Sequence, residues 1–179
     1  RLTEDGKVPP DNPFVNTAGA RPEIWSYGIR NPQGMAMNPW SDTLWLNEHG
    51  PRGGDEINIP EKGKNYGWPL ATHGINYSGL KIPEAKGEHV EGTEKPLFVW
   101  KVSPAVSGMA FYNSDVFPQW KNKLFIGALK EKDVIVLSVD GNKVTEDGRI
   151  LGDNDRRIRD VRVGPDGYLY VLTDESDGQ

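Results

Sequence analysis

The chain of 179 residues carries 21 basic and 26 acidic residues, for a formal net charge of −5, and it contains no cysteine. This balance, without any basic block, argues against a nucleic acid or membrane-surface partner. The absence of cysteine excludes disulfides and thiolate metal sites, and no apolar stretch approaches the roughly 20 residues that cross a bilayer. The 21 glycines and 14 prolines interrupt the chain at short intervals. Because such interruptions suit short strands joined by turns, we predict an all-β fold.

A hexapeptide recurs near the two ends of the chain. Residues 3–8 read TEDGKV and residues 145–150 read TEDGRI. Asp-Gly between extended residues is a strong signal for a hairpin turn, so we expect a turn in both copies. The separation of the copies is about three times the roughly 40–50 residues of one β-propeller blade.

Three similar hairpins can be recognised between these copies and the end of the chain. Their predicted strands are residues 34–37 with 43–46, 108–111 with 123–126, and 161–163 with 168–172. Each strand either alternates apolar and polar residues or forms a continuous apolar run. Hairpins that return at intervals of tens of residues favour a β-propeller over the alternative, a β-sandwich with chance similarity.

The spacing predicts about three to four blades, with an insertion between Tyr66 and Trp100 in one of them. An open ring of blades would leave strand edges exposed. We therefore expect residues 1–179 to form part of a single propeller domain, with the remaining blades upstream and possibly downstream.

The first candidate site motif is Gly28-Ile29-Arg30-Asn31-Pro32-Gln33-Gly34. An Arg-Asn pair at the entry to an inner strand would face the central channel, where the guanidinium fork matches a carboxylate. Pairing of Arg30 with a neighbouring blade is the alternative.

The second motif covers residues 47–58 and reads NEHGPRGGDEIN. Calcium takes oxygen ligands that include backbone carbonyls, and a Gly-Pro step can aim consecutive carbonyls at one ion. The motif therefore indicates a calcium site, and a solvated acidic turn is the alternative.

The third motif is Arg156-Arg157-Ile158-Arg159-Asp160. Strand alternation places Arg157 and Arg159 on one face and Ile158 on the other. Two adjacent guanidinium groups repel each other unless an anion lies beside them. The pair thus predicts a multiply charged acidic ligand, with surface pairing to Asp153 or Asp155 as the alternative.

Together these motifs, followed by Asn65-Tyr66-Gly67-Trp68-Pro69, resemble the soluble quinoprotein sugar dehydrogenases, in particular the bacterial aldose sugar dehydrogenases. The resemblance implies a six-bladed propeller that uses pyrroloquinoline quinone (PQQ) and calcium to oxidise the C1 hydroxyl of aldoses to lactones. An aldose, an electron acceptor and the rest of the propeller are the implied partners, and the periplasm is the implied location.

The resemblance also implies roles for individual residues. Those expected to bind PQQ are Arg30, Asn31, Asp55, Tyr77, Lys130, Arg157 and Arg159. Those expected to bind calcium are Gly50 and Pro51 through their carbonyls at the cofactor, and Glu56 and Tyr66 at a second, structural ion.

The family's general base is a histidine, and its counterpart is missing here. None of His49, His73 and His89 lies in the matching context. We therefore expect no catalytic residue in this chain, and we expect the chain alone to be inactive. A non-catalytic ligand-binding propeller and a calcium-dependent lactonase-type propeller are the alternative functions.

Overall fold

The computed structural model describes residues 1–176 and contains strands, turns and loops but no α-helix in that range. No segment of those residues forms a helix of the length and apolar character that a membrane span needs. The predicted all-β class is confirmed. Apart from two 3₁₀ turns, Pro118–Trp120 and Gly152–Asn154, regular structure consists of ten strands in three antiparallel sheets.

The first sheet has four strands that follow each other in chain order. They are β1 (Pro32–Asn38), β2 (Thr43–Glu48), β3 (Asp55–Asn58) and β4 (Phe98–Trp100). The hairpin of β1 and β2 matches the first predicted hairpin, with Met35 opposite Leu46 and Ala36 opposite Trp45. The predicted insertion is the long segment of residues 59–97 between β3 and β4.

The second sheet repeats this four-stranded meander. Its strands are β5 (Val106–Tyr112), β6 (Lys123–Ala128), β7 (Val134–Asp140) and β8 (Lys143–Ile150). The third sheet contains β9 (Ile158–Val163) and β10 (Leu169–Thr173), which pair antiparallel. The second and third predicted hairpins are therefore both present.

Two apolar layers hold the three sheets face to face in chain order. Between the first and second sheets, Trp45, Ile57 and Met109 are completely buried in one cluster. Between the second and third sheets, Tyr112 and Val161 are completely buried in another. This continuous burial explains why the inner strands read as apolar runs.

The first strands of the three sheets lie side by side, because β1 packs against β5 and β5 against β9. Hydrogen bonds through two side chains link these strands. The Gly34 N–H donates to Asn47 Oδ1 at 3.0 Å, Asn47 Nδ2 donates to the Ser107 carbonyl at 2.8 Å, and Ser107 Oγ donates to the Ile158 carbonyl at 2.7 Å. Successive meanders with adjacent first strands are the arrangement of propeller blades around an axis.

The interpretation of the repeated hexapeptide as two equivalent turns is wrong. Residues 3–8 do form a tight turn, with the Gly6 N–H bonded to the Thr3 carbonyl at 3.0 Å. In the second copy, however, Gly148 pairs with Val136 inside β8, and Asp147 is the extra residue of a β-bulge. The partner strand β7 decides the outcome, because its ladder bonds favour an extended path with a bulge over a turn.

The described residues form two complete four-stranded sheets and one two-stranded sheet, where about three to four blades were expected. The number of blades in the whole ring stays a prediction.

The antiparallel order of the strands gathers particular loops at one edge. We call this edge the entry rim; it is the edge at which β1, β5 and β9 begin. The segments there are residues 28–31, 49–54, 101–105, 129–133, 155–157 and 174–176. Every candidate charged residue in the sequence motifs lies in or beside one of these segments.

Gly108 lies at a close approach of the second and third sheets. A Cβ atom on Gly108 would lie 2.7 Å from the Cα of Asp160, inside any normal contact distance. We expect Gly108→Ala to lower the free energy of unfolding of the intact protein by about 1–3 kcal/mol, because the strands must move apart.

Urea unfolding measures this effect, and Gly152→Ala is the matched control. A Cβ atom on Gly152 would meet only Asp133 Cβ at 3.8 Å. Equal unfolding midpoints for the two variants would contradict the close approach.

Candidate functional site

The loop of residues 49–54 is fastened to the entry rim by the buried carboxylate of Asp55. One carboxylate oxygen accepts the Gly50 N–H at 3.1 Å. The other accepts the Ser103 hydroxyl at 2.7 Å and the Val106 N–H at 3.2 Å. Asp55 is fully buried, so these three donors replace its hydration. The carboxylate therefore joins β3 to the start of β5 and fixes the position of Gly50.

A second buried carboxylate, Glu48, fastens the Arg30–Asn31 step. Glu48 Oε2 accepts the N–H of Arg30 at 2.5 Å and that of Asn31 at 3.1 Å. Its other oxygen accepts Asn58 Nδ2 at 3.2 Å. These bonds set the direction in which the chain enters β1.

The Arg30 guanidinium lies over the loop that Asp55 fixes. Its Nη1 donates to the carbonyls of His49 at 3.1 Å and Gly50 at 2.9 Å, and its Cζ lies 5.1 Å from the Trp68 ring centre. Cation–π contact and carbonyl acceptors hold the group without neutralising it. Arg30 thus keeps its positive charge at the rim and pairs with no acidic side chain of a neighbouring sheet within residues 1–176.

Glu48 and Glu56 lie beside each other, and both bind the amide nitrogen of Asn58. Burial raises the pKa of Glu56 to about 8, although the hydrogen bond from Asn58 opposes the shift and the neighbouring Glu48 charge adds to it. Burial also raises the pKa of Glu48. The pair therefore requires a shared proton or a nearby cation at neutral pH.

A small cavity adjoins this pair of carboxylates. Its volume is about 20 Å³, and its lining includes Glu48, Glu56 and Tyr66, the Gly50–Pro51 step and the cationic side chain of Arg30. The Tyr66 hydroxyl donates to the Ile59 carbonyl and accepts the Glu61 N–H at 2.9 Å, so it does not contact Glu56. A monatomic cation is the size of group that this space suits.

Lys130 extends the rim across the second sheet. Its Nζ donates to the Ser103 carbonyl at 3.2 Å and lies 3.2 Å from the carboxylate of Glu131, while 58% of its side chain stays exposed. Ser103 is also the residue that binds Asp55. One short segment therefore connects Lys130 to the loop that Arg30 covers.

Arg157, immediately before β9, and Arg159 within it bind the same carboxylate, while Ile158 between them is buried, as strand alternation predicted. Their anionic partner is Asp174, not Asp153 or Asp155. Asp174 Oδ2 accepts both Nη2 groups, at 2.8 and 3.0 Å. Hydrogen bonds from the two guanidinium groups hold the pKa of Asp174 below its usual value, and the bond from Arg159 has the larger effect. A second carboxylate lies beside them, because Glu175 Oε1 accepts the backbone N–H of Arg157 at 3.0 Å.

These side chains form one line of contacts rather than separate surfaces. Arg30 touches Gly50, which binds Asp55; Asp55 and Lys130 share Ser103. Arg157 Nη1 then reaches the Leu129 carbonyl at 3.5 Å, immediately before Lys130. The structure thus brings together the four predicted cations, Arg30, Lys130, Arg157 and Arg159, along the entry rim.

Two other predicted residues are placed less directly. The side-chain oxygen of Asn31 accepts Gln33 Nε2 at 3.1 Å and touches none of the cations. Tyr77 is 70% exposed in the turn of residues 76–80 and contacts none of the other predicted cofactor residues within residues 1–176. Its proposed closure over a cofactor stays a prediction.

The three histidines lie in different surroundings, and their lack of a catalytic role stays a prediction. His49 Nε2 lies 2.5 Å from the Val106 carbonyl, and because a carbonyl only accepts, this nitrogen is the donor. His73 lies 3.5 Å from a carboxylate oxygen of Glu88. His89 makes no side-chain hydrogen bond within the part of the chain that is described.

Sequence reasoning missed several residues that organise the site. They are Asn47, Glu48, Asn58, Trp68, Ser103, Ser107 and Asp174. Glu48 and Asn58 lie within the acidic motif of residues 47–58, so a structural role for them could have been suspected from the sequence. Asp174 lies 15 or more residues from its partners, and only the pairing of β9 with β10 brings it near.

Comparison with known proteins identifies related sequences. The family model described as glucose/sorbosone dehydrogenase matches residues 1–179. The aldose sugar dehydrogenase YliI of Escherichia coli is 80% identical over the whole chain, which covers 48% of that protein. Quinoprotein glucose dehydrogenase B of Acinetobacter calcoaceticus is 29% identical, with 97% of this chain and 47% of that protein covered. The chain spans about half the length of these curated relatives.

Solved structures give the same relationship. The apo form of the soluble aldose sugar dehydrogenase of Escherichia coli matches 98% of this chain and 50% of its own, with a TM-score of 0.97 and 80% identity. The PQQ-bound aldose sugar dehydrogenase of Streptomyces coelicolor matches all of this chain and 46% of its own, with a TM-score of 0.72 and 28% identity.

Replacing Asp55 by asparagine tests the role of its carboxylate. In either orientation the new NH₂ group faces an existing donor, so a buried N–H of Gly50 or Val106 loses its acceptor. We expect Asp55→Asn to lower the free energy of unfolding by about 1–3 kcal/mol.

Asp140→Asn is the matched control, because Asp140 is exposed at the end of β7 and makes no ion pair within residues 1–176. The measurement is the midpoint of urea unfolding of each variant of the intact protein. If Asp55→Asn is as stable as Asp140→Asn, the carboxylate does not hold the rim.

Proposed function

Since this chain belongs to the glucose/sorbosone dehydrogenase family, we propose that it forms part of a quinoprotein that oxidises the C1 hydroxyl of an aldose to a lactone, with PQQ and calcium as cofactors. The observation that carries the proposal is the line of cations along the entry rim. Four cationic side chains from three sheets meet there, beside a loop whose carbonyls are fixed in place.

PQQ fits this set of residues. It bears three carboxylates, and its binding needs more positive charge than a neutral rim could supply. Arg30, Lys130, Arg157 and Arg159 would hold those carboxylates, with Asn31, Asp55 and Tyr77 lining the same place. When bound, PQQ accepts the two electrons of the substrate at its ortho-quinone.

Calcium fits two places near these residues. At the first, the Pro51 carbonyl accepts no hydrogen bond from residues 1–176, and the neighbouring Gly50 carbonyl accepts only Arg30. At the second, Glu56 lies with Glu48 at the cavity, where a cation would relieve their repulsion, and Tyr66 would contribute its carbonyl because its hydroxyl is engaged. Calcium at the first place would act as a Lewis acid on a bound carbonyl.

The residues of this chain would position and polarise the bound cofactor, and they would transfer no proton. Arg30, held by Trp68 and by carbonyls, keeps its full charge for an anionic ligand. Asp55 keeps the carbonyl loop in place, and His49 is committed as a donor to Val106. The general base therefore has to come from the remaining portion of the propeller.

Exposed apolar sheet faces indicate where that remaining portion packs. Met35 and Met37 are each 51% exposed on the first sheet, and Tyr170 and Leu172 are 51% and 57% exposed on the third. The inner faces of the same sheets are buried against the second sheet. Further blades on both sides would cover these faces, as ring closure requires. We place the assembled enzyme in the periplasm, by analogy with the family.

The geometry does not favour the two alternative functions. A lactonase-type propeller binds its metal through a cluster of side chains, and residues 1–176 contain no group of three or more His, Asp or Glu side chains that could hold one. A non-catalytic propeller has no need to keep four cations on one rim.

The activity is tested by supplying the intact protein with PQQ, calcium and an aldose. We expect reduction of an artificial dye together with formation of the lactone, and loss of the rate when calcium is chelated. The 179-residue chain alone should give no reduction, because it lacks the base. The same protein without PQQ is the control. Dye reduction without PQQ, or by the chain alone, would overturn this mechanism.

Removing one arginine tests the binding of PQQ separately from turnover. We expect Arg159→Gln to weaken PQQ binding by roughly 10–100-fold, because a charge-assisted hydrogen bond is worth about 1.5–3 kcal/mol. Titration of the intact protein followed by absorption measures the affinity.

Arg21→Gln removes the same charge at a position that is 83% exposed and lies outside the rim segments. Its affinity for PQQ should equal that of the unsubstituted protein. Equal affinities for all three proteins would contradict the assignment of Arg159.

A further inference from the structure

A mixed cationic and apolar patch lies on the entry rim beside the line of cations and shares Tyr77 with the proposed PQQ site. We call it the docking patch, and it consists of Arg52, Ile75, Tyr77, Leu80, Lys101 and Val102. We propose that this patch binds an acidic electron-carrier protein that removes electrons from the neighbouring site; the inference rests on the proposed function.

Backbone contacts make the patch continuous. Arg52 and Ile75 exchange two backbone hydrogen bonds, of 2.9 and 3.2 Å. A Cβ atom on Gly79, in the turn that carries Tyr77, would lie 3.7 Å from Arg52 Nη1. On the other side, the Gly54 N–H bonds to the Trp100 carbonyl at 2.9 Å, immediately before Lys101. The inserted loop, the 49–54 loop and the β4–β5 connection therefore present one surface.

The apolar members of the patch are unusually exposed. Tyr77 is 70% exposed, Leu80 71% and Val102 71%, and Ile75 beside them is 41% exposed. These side chains lie in loops at the rim and not on the outer faces of the first and third sheets, which are the faces that neighbouring blades cover. Exposed apolar groups that cluster with cations mark a surface for a partner protein.

The two cations are unpaired within residues 1–176. Neither the Arg52 guanidinium nor the Lys101 ammonium makes an ion pair or side-chain hydrogen bond there, although most other basic residues near the rim do. In a chain of net charge −5, two free cations at one place favour an acidic partner.

The chemistry of the proposed function requires such a partner. Oxidation of an aldose C1–OH to a lactone removes two electrons and two protons from the sugar. The protons pass to water, and the electrons must leave through two one-electron carriers or one two-electron carrier. The docking patch includes Arg52, which directly follows the Gly50–Pro51 step assigned to the cofactor's calcium. A carrier bound there would stand beside the electron source.

An acidic protein suits the patch better than a second copy of this chain. A two-fold interface would place the patch against itself and bring Arg52 and Lys101 near their own copies, with no acid to pair them. Encounters between redox proteins are small and weak, with about 1,200 Å² or less buried, and they depend on charge for their rate. A patch of six residues agrees with that class.

Plastocyanin, an acidic one-electron copper protein, serves as the probe. The intact protein, loaded with PQQ and calcium and reduced by an aldose, is mixed with oxidised plastocyanin in a stopped-flow instrument. We expect the double variant Arg52→Glu/Lys101→Glu to lower the second-order rate constant by at least about tenfold at low ionic strength. The difference should shrink as salt is added, since the Debye length is only about 10 Å at 0.1 M.

Lys62→Glu/Lys143→Glu changes the net charge equally at exposed positions outside the patch, and should keep the original rate. Dye reduction by the aldose should be the same in all three proteins. Surface plasmon resonance with plastocyanin, without sugar, gives a second readout that does not require turnover, and only the patch variant should lose binding.

Each outcome has a distinct meaning. If the unsubstituted protein fails to reduce the dye, the proposed function fails, while the binding measurement still reports on the patch. Equal plastocyanin rates and binding for the patch and control variants overturn the docking proposal. Sedimentation that shows a dimer dissociated by Arg52→Glu/Lys101→Glu overturns it as well, because the patch would then bind a second copy.

Discussion

The entry rim depends on two carboxylates that have been removed from water. Glu48 and Asp55 are 3% and 0% exposed, and a buried carboxylate is tolerated only where fixed donors replace its hydration. Those donors are mainly backbone N–H groups, including those of Arg30, Asn31 and Gly50. The requirement to keep these bonds fixes two loops from different parts of the chain relative to each other. The rim is therefore rigid in backbone before any ligand arrives.

Rigid backbone allows the cations at the rim to remain under-neutralised. The Arg30 guanidinium binds carbonyls and an aromatic ring, and the guanidinium groups of Arg157 and Arg159 share the carboxylate of Asp174. In a fully paired arrangement each guanidinium would have its own acid, and an incoming anion would have to displace it. Here the positions are held by neutral or shared partners, so positive charge is left for a carboxylated ligand.

Local patterns predicted most of the fold, whereas contacts distant in sequence were not predictable. The three hairpins follow from alternation and turns within about 20 residues, and all three are present. The prediction of a turn in the second copy of the hexapeptide was wrong, because pairing with β7 overrides the local turn preference of Asp147-Gly148. The same limit applies to the site. Motifs predicted which cations matter, but the partner of Arg157 depends on β10, which no spacing rule brings to it.

The loop of residues 49–54 shows how one short segment can serve two surfaces. Its first half faces Arg30 through the carbonyls of His49 and Gly50. Gly53 and Gly54 then take positive φ angles of 81° and 76°, which reverse the chain so that Gly54 bonds to β4. Between these halves, Arg52 is held by its backbone to Ile75, and its side chain is exposed on the outer side of the rim. A side chain at either glycine would also collide, since a Cβ on Gly54 would lie 2.8 Å from the Gly74 nitrogen. The loop can therefore offer its carbonyls to Arg30 while the side chain of Arg52 stays exposed for a partner.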